Sequence, residues 1–233
     1  VNQQAQDFYG ALGSTQDKAA SVQDVGHVAK VLSWGRWTNG RLATGNDDLT
    51  ISLSANDNIH YLIGLPTPTN TIPNIGSVTY SLAGGTASAI FSTSNNTAFD
   101  IGRVSNGSLA VDFGTNSTNL SLEISGFTKA NTLQSLQLNG SGLLSSNALS
   151  FGDLSVTANA NTLTCTACTA SVQGMFFGAV SPIANSQISA PAAAGITYQV
   201  NGMIEGTQTT TLEVNGTAAF ANPTLPAQNN QGT

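Results

Sequence analysis

NLSLEISGF, residues 119–127, puts Leu120, Leu122 and Ile124 on one side of an extended chain and Ser121, Glu123 and Ser125 on the other. Successive side chains leave a strand in opposite directions, so strict alternation marks a strand with one buried face. The same period recurs on both sides of this stretch. DLTISLSAN aligns Leu49, Ile51 and Leu53; NIHYLIG aligns Ile59, Tyr61 and Ile63 against His60 and Leu62; SVTYSLAGG gives Val78, Tyr80 and Leu82. Further along, SLAVDFG offers Leu109, Val111 and Phe113, and GITYQVNG offers Ile196, Tyr198 and Val200. TLEVNGTAAF offers Leu212 and Val214, with Ala218 and Phe220 continuing the strand. Gly, Asn and Ser clusters separate the runs, and Asn106-Gly107 and Asn139-Gly140 read as hairpin turns. The expected fold is all-β: an antiparallel β-barrel of about eight strands over residues 34–221.

Residues 1–33 follow another pattern. STQDKAASVQDVGHVAKVL (14–32) spaces Ala19, Val22, Val25 and Val28 as a helix would, with Ser14 or Thr15 as its cap. A short helical or irregular lead-in is therefore expected ahead of the barrel. GLPTPTNTIPNIG (64–76) carries Pro66, Pro68 and Pro73, which make a rigid extended connection rather than a strand. Residues 222–233, polar with two prolines, read as a flexible tail. The chain begins VNQQAQDFYG, without an initiator Met or a signal peptide, and reads as a processed or excised fragment.

Charged residues make up 8% of the chain, against roughly 25% in an ordinary soluble domain, so Ser, Thr, Asn, Gln and Gly must wet the surface. The 40% hydrophobic content supplies a core and argues against disorder. No apolar run reaches the roughly 20 residues of a spanning helix, and aromatic girdles for a membrane barrel are missing. Net charge is −6 and the six Lys and Arg are scattered, so neither nucleic acid nor anionic lipid has an electrostatic footprint to follow.

Both cysteines lie in TCTACTASV (164–172). A redox Cys-x-x-Cys needs a helix N-terminus or a nearby cation to stabilise the thiolate, and these β-branched flanks supply neither. Zinc needs four ligands, whereas the chain has two histidines, His27 and His60, far apart in sequence. A Cys165–Cys168 disulfide clip on a strand, in an exported protein, needs nothing further.

GMFFG (174–178), AGITY (194–198) and GTAAF (216–220) resemble the closing strands of transferrin-binding protein B-like barrels. LSWGRW (32–37), NIHYLIGLPTP (58–68) and GSVTYSLAGGT (76–86) are similar to opening segments of such barrel domains in larger exported proteins, some with a FecR-type domain. The resemblance implies an eight-stranded barrel on a surface or secreted protein of Gram-negative bacteria. Phe176 and Phe177 must face opposite sides of the sheet, one filling the barrel and the other packing beneath a loop, the N-terminal segment or a second layer. The Gly-Pro-x-Ala expected after Phe-Phe-Gly is here Ala179-Val180-Ser181-Pro182. No lipidated N-terminal Cys is present, so the resemblance does not imply anchoring, and without the second lobe and extensive handle of the transferrin binders it does not imply transferrin specificity.

Catalytic signatures are missing: there is no Gly-x-Ser-x-Gly elbow, no His-Glu-x-x-His and no P-loop. The expected function is a non-catalytic, exported binding or interaction module at the bacterial outer-membrane surface, in the medium or in the periplasm. Its ligand would be a protein or a neighbouring domain of a larger chain, met on the 64–76 loop and the 83–106 and 179–193 stretches. No resident cofactor or metal is expected. One alternative is a haem or small-ligand carrier, in which His27 or His60 ligates iron. Another is a structural domain of a larger adhesin or surface regulator. Trp34, Arg36 and Trp37 are candidates for a surface stacking platform, although their spacing puts the two tryptophans on opposite sides of a strand. GNDDLT (45–50) and ANDNIH (55–60) hold oxygen ligands without an EF-hand spacing, and read as turns.

Overall fold

The computed structural model describes residues 15–16, 21–28, 30–43, 50–127, 133–160, 164–183, 186–205 and 210–223. Six strands precede the barrel: β1 (Thr15–Gln16), β2 (Ser21–Val28), β3 (Leu32–Thr38), β4 (Gly40–Ala43), β5 (Thr50–Leu53) and β6 (Ile59–Gly64). They form two three-stranded sheets, ordered β1-β4-β5 and β2-β3-β6. Eight more follow: β7 (Ser77–Ser92), β8 (Thr97–Asp112), β9 (Ser117–Ser125), β10 (Leu133–Ser145), β11 (Ala148–Ala160), β12 (Thr164–Pro182), β13 (Ser189–Glu205) and β14 (Thr210–Ala221). Each pairs antiparallel with the next, and β14 closes the barrel on β7.

The all-β, eight-stranded antiparallel barrel is as expected, but it starts at Ser77 rather than at residue 34. The strands read at 49–54 and 58–64 lie outside it. β7, the first strand of the barrel, is paired on both sides, with β14 and with β8, so they do not extend the sheet ahead of it. The helix read from Ala19 to Val28 is also replaced, over Ser21–Val28, by β2. Its valines are β-branched and Gly26 weakens a helix, whereas pairing to β3 satisfies the backbone. A register shift between Gln23 and Gly26, with Asp24 at φ 52°, absorbs the three-residue spacing of the valines into a bulge. Asn106-Gly107 and Asn139-Gly140 are not turns either: they lie within β8 and β10, where pairing to β9 continues through both dipeptides, with a register shift just before Asn106. The tail read at 222–233 falls mostly outside the described residues, as does most of 1–20.

Inside the barrel, the alternating residues of all eight strands form one core, with Tyr80, Phe113, Phe176 and Phe220 fully buried. Tyr80 and Phe113 each meet Phe176, at ring-centroid distances of 5.7 and 5.9 Å, and Phe91 meets Phe127 edge-on at 6.0 Å. Outward positions such as Asn119, Ser155, Thr169 and Ser171 are polar. A membrane-spanning barrel has the reverse arrangement.

A second core lies between the β2-β3-β6 sheet and the outside of the barrel. It joins Val28, Leu32 and Trp34 of the sheet to Ala83, Phe177, Ala193, Ala219 and Ala221 of the barrel. So Phe176 fills the barrel and Phe177 packs beneath a second layer, as their adjacency requires. Trp34 is the wedge of this layer. Its indole lies between Gly26 of β2 and Gly84 of β7, where a Cβ on either would overlap the ring.

The proline-rich connection straps one end of the barrel. Leu65 N–H donates to Val31 O (3.0 Å), Gly178 N–H to Leu65 O (2.8 Å) and Thr67 N–H to Phe176 O (3.0 Å). Thr67 Oγ1 donates to Gly178 O at 2.7 Å, and Asn147 Nδ2 donates to Thr67 O at 3.1 Å. The stretches 83–106 and 179–193, expected as contact surfaces, are mostly strand among the described residues, with a short turn at 93–96.

Candidate functional site

Among the described residues, Arg36, Thr86, Ser88 and Thr217 are polar side chains buried where the β2-β3-β6 sheet meets the barrel. Arg36 of β3 and His60 of β6 are paired in register, and both face the barrel alongside Trp34 and Leu62. The Arg36 guanidinium donates through Nε to Asp24 Oδ2 at 2.7 Å and through a terminal nitrogen to Asn58 Oδ1. The His60 ring is held at both nitrogens: Nδ1 lies 2.7 Å from Thr86 Oγ1 and Nε2 lies 2.8 Å from Ser88 Oγ. Thr86 Oγ1 in turn lies 2.8 Å from Thr217 Oγ1. Burial, and secondarily the Arg36 charge, lower the His60 pKa from 6.5 to about 4. The ring is therefore neutral at pH 7, donating through one nitrogen and accepting through the other.

His27 sits on the opposite face of the same sheet, in register with Ser33, which pairs in turn with Ile63. The two histidines thus point away from each other across one layer, and they form no common ligand pair. Trp34, Arg36 and Trp37 are 4%, 6% and 5% exposed, which corrects the reading of a surface platform. Trp34 is covered by the barrel. Trp37 is covered on the other face, stacked on Tyr61 at 4.5 Å in a small cluster with Leu53. The same burial raises the Tyr61 pKa to about 12.

Cys165 and Cys168 are joined by a disulfide with their Cα atoms 5.7 Å apart. The clip closes a bulge in β12, where Ala167, at φ 50°, and Cys168 oppose the single residue Gly202 of β13. Cys168 Sγ rests where a Cβ on residue 202 would be. In the 55–60 segment Asp57 Oδ2 accepts from Ser54 N–H at 2.8 Å, a turn bond that lowers its pKa. Most of 45–50 lies outside the described residues. Among the described residues, no three of His, Cys, Asp and Glu converge as a metal cluster would.

Among the described residues, two grooves have room for a small group. A polar groove of about 350 Å³ opens where the β7–β8 ladder lapses between Ser81↔Ser108 and Ala87↔Gly102, lined by Leu82, Gly84, Ser105 and Asn106. A second, of about 160 Å³, lies over Ser77, Asp112 and Asn119. Leu65 and Ile75, on the strap, are 72% and 73% exposed. Sequence reasoning missed the His60–Thr86–Thr217 chain because it placed the strand of His60 in the barrel itself rather than in a layer against it. The signal was there in the small residues Ala83-Gly84-Gly85 and Ala192–Gly195, which leave room for one.

No family model matches this chain, and no curated protein matches it either. Among solved structures it is similar to a double mutant of the vaccine antigen transferrin binding protein B from Haemophilus parasuis Hp5, with 13% identity and a TM-score of 0.45. That match covers 90% of this chain and 37% of the other. A single mutant of the same antigen is 14% identical, with a TM-score of 0.42 over 88% of this chain and 39% of that one. Intact Ap-TbpB (N and C lobes) is 10% identical, with a TM-score of 0.36 over 89% and 39%. The chain spans well under half the length of the structures it matches. The eight-stranded barrel expected from the closing motifs is present, and transferrin binding protein B is what the chain is similar to.

Proposed function

We infer that the chain is an exported, non-catalytic binding module of a bacterial cell surface, and that its ligand is a protein engaged on the outside of the barrel. The observation that carries this reading is the filled interior. Tyr80, Phe113, Phe176 and Phe220 occupy the space in which a carrier barrel would hold a ligand. Leu65 and Ile75 stand exposed on a strap that prolines and backbone bonds keep in place, so an apolar contact there needs little ordering. The disulfide fits an oxidising compartment. A haem carrier lacks comparable support, because both nitrogens of His60 are taken by hydroxyls.

The test is capture on immobilised protein, wild type beside a Leu65→Asp/Ile75→Asp variant, from the host or community fluids that its source cell meets. A protein retained by the wild type and lost from an equally stable variant is the expected result. Retention of no protein by the wild type would favour a structural domain of a larger adhesin, with no ligand of its own.

A further inference from the structure

Five Asn-Gly dipeptides occur in the chain, and four of them lie in barrel strands: Asn106-Gly107 in β8, Asn139-Gly140 in β10, Asn201-Gly202 in β13 and Asn215-Gly216 in β14. Three of these four are paired on both sides. Asn139 faces Ser121 of β9 and Ser155 of β11, and Asn201 faces Thr169 of β12 and Glu213 of β14. Asn215 faces Gln199 of β13 and Ser88 of β7. Asn106-Gly107 differs. It is paired to β9, with Asn106 opposite Glu123 and Gly107 opposite Leu122, but the β7–β8 ladder lapses between Ser81↔Ser108 and Ala87↔Gly102. On that side the dipeptide borders the polar groove of about 350 Å³. We propose that Asn106-Gly107 is a self-modification site, at which the folded barrel converts Asn106 to aspartate and isoaspartate ahead of its other three Asn-Gly dipeptides. The site shares no residue with the strap and stands apart from the ligand contact inferred above.

Three observations carry this choice. First, the Asn106 carboxamide is folded back onto the nitrogen it must meet. Gly107 N–H donates to Asn106 Oδ1 at 2.8 Å, so Cγ stands one bond from an oxygen already in contact with that amide. The carboxamides of two rivals are engaged elsewhere: Asn139 Oδ1 accepts from Gln137 Nε2 at 3.4 Å, and Asn215 Nδ2 donates to Glu213 Oε1 at 2.9 Å. Second, Asn106 is exposed beside an open groove, so water and hydroxide reach it. Asn201 is exposed as well, but Cys168 Sγ is packed against Gly202. Third, ring closure must turn the peptide between the two residues. At Asn106 one ladder holds that peptide, and a register shift just before it already leaves Ser105 without a partner in β9. At the other three sites two ladders must open first, which lowers the reactive population.

The chemistry needs only solvent. Hydroxide takes the Gly107 amide proton, and the nitrogen bonds to Asn106 Cγ. The Cγ–Nδ2 bond breaks with its electron pair on nitrogen, and Nδ2 departs as ammonia with a proton returned by water. One water then opens the cyclic imide at either carbonyl. The product is aspartate or, with the main chain routed through the side chain, isoaspartate. Either product sets a new carboxylate opposite Glu123, and like charges facing each other across a ladder destabilise it. An ageing barrel is thereby marked, with a weakened β8–β9 pairing at the mark.

Peptide mapping of the full, oxidised chain tests the idea. One sample is kept folded in mildly alkaline buffer and another is kept unfolded in guanidinium chloride at the same pH. Both are digested at intervals, and mass spectrometry with electron-transfer fragmentation separates asparagine, aspartate and isoaspartate at each site. The four barrel dipeptides should convert at similar rates in the unfolded chain. In the folded chain Asn106 should convert about tenfold or more faster than Asn139, Asn201 and Asn215. Equal rates at all four folded sites would overturn the proposal. So would conversion led by Asn139, Asn201 or Asn215, or an Asn106 that stays intact in the folded chain while it converts in the unfolded one.

Discussion

Protonating His60 places a cation beside Arg36 in the layer between sheet and barrel, and acid should therefore loosen that layer. The folded-state pKa of about 4 lies below the ordinary 6.5. The neutral ring thus contributes stability that is complete above pH 6.5 and is lost as pH falls towards 4. At about 1.4 kcal/mol per pH unit, the full loss is about 3 kcal/mol. The charged groups near the ring are Arg36 and, beyond it, Asp24. The barrel side offers the hydroxyls of Thr86, Ser88 and Thr217. His60→Gln keeps an amide able to bond those hydroxyls and removes the titration. Urea unfolding of both proteins at pH 7 and pH 4, followed by tryptophan emission, isolates the effect, because both tryptophans lie in β3. Asp57 and Asp112, whose pKa values are lowered by hydrogen bonds from Ser54, Thr115 and Ser77, add their own acid sensitivity, but equally in both proteins. The wild type should lose about 3 kcal/mol more than the variant between the two pH values. Equal losses would refute the placement of a partly buried, neutral His60 at this interface.

Trp34→Ala should destabilise by about 3–5 kcal/mol, the usual range for emptying a buried aromatic site. Gly84→Ala should also destabilise, because its Cβ would overlap the indole; in the double variant the added methyl meets an empty site, so the two losses should fall well short of adding in a denaturation cycle. Tyr198→Phe removes the 2.8 Å bond from its hydroxyl to Thr86 O and should cost about 1–3 kcal/mol in the same assay. Cys165→Ser/Cys168→Ser should cost no more than about 2 kcal/mol, since so short a loop removes little chain entropy. A much larger loss would mean that the clip organises more than its own bulge.

The barrel was legible in the sequence because its alternation is regular. Leu120, Leu122 and Ile124 face the core as their spacing requires, and so do Ile196, Tyr198 and Val200. Alternation does not say which sheet a strand joins, so β3, β5 and β6 were read into the barrel with the rest. Two faces of β6 are apolar or engaged, Tyr61 against Trp37 on one side and Leu62 against the barrel on the other. That pattern belongs to a strand between two layers, and within one strand it looks like ordinary alternation. In β2 the bulge at Asp24 disguised a strand as a helix. The clip was legible because the Thr-rich flanks exclude the alternatives chemically. Its place at a bulge opposite Gly202 of β13 depends on register, which no local pattern encodes.

The central claim is a barrel filled by its own side chains, held in an oxidising compartment and working from its exterior. It is tested most directly by the native mass of protein isolated from its own culture without reductant. The expected result is a chain two hydrogens lighter than its reduced sequence, with no small molecule attached. A haem or other small-molecule adduct, or a chain with both thiols free, would contradict it.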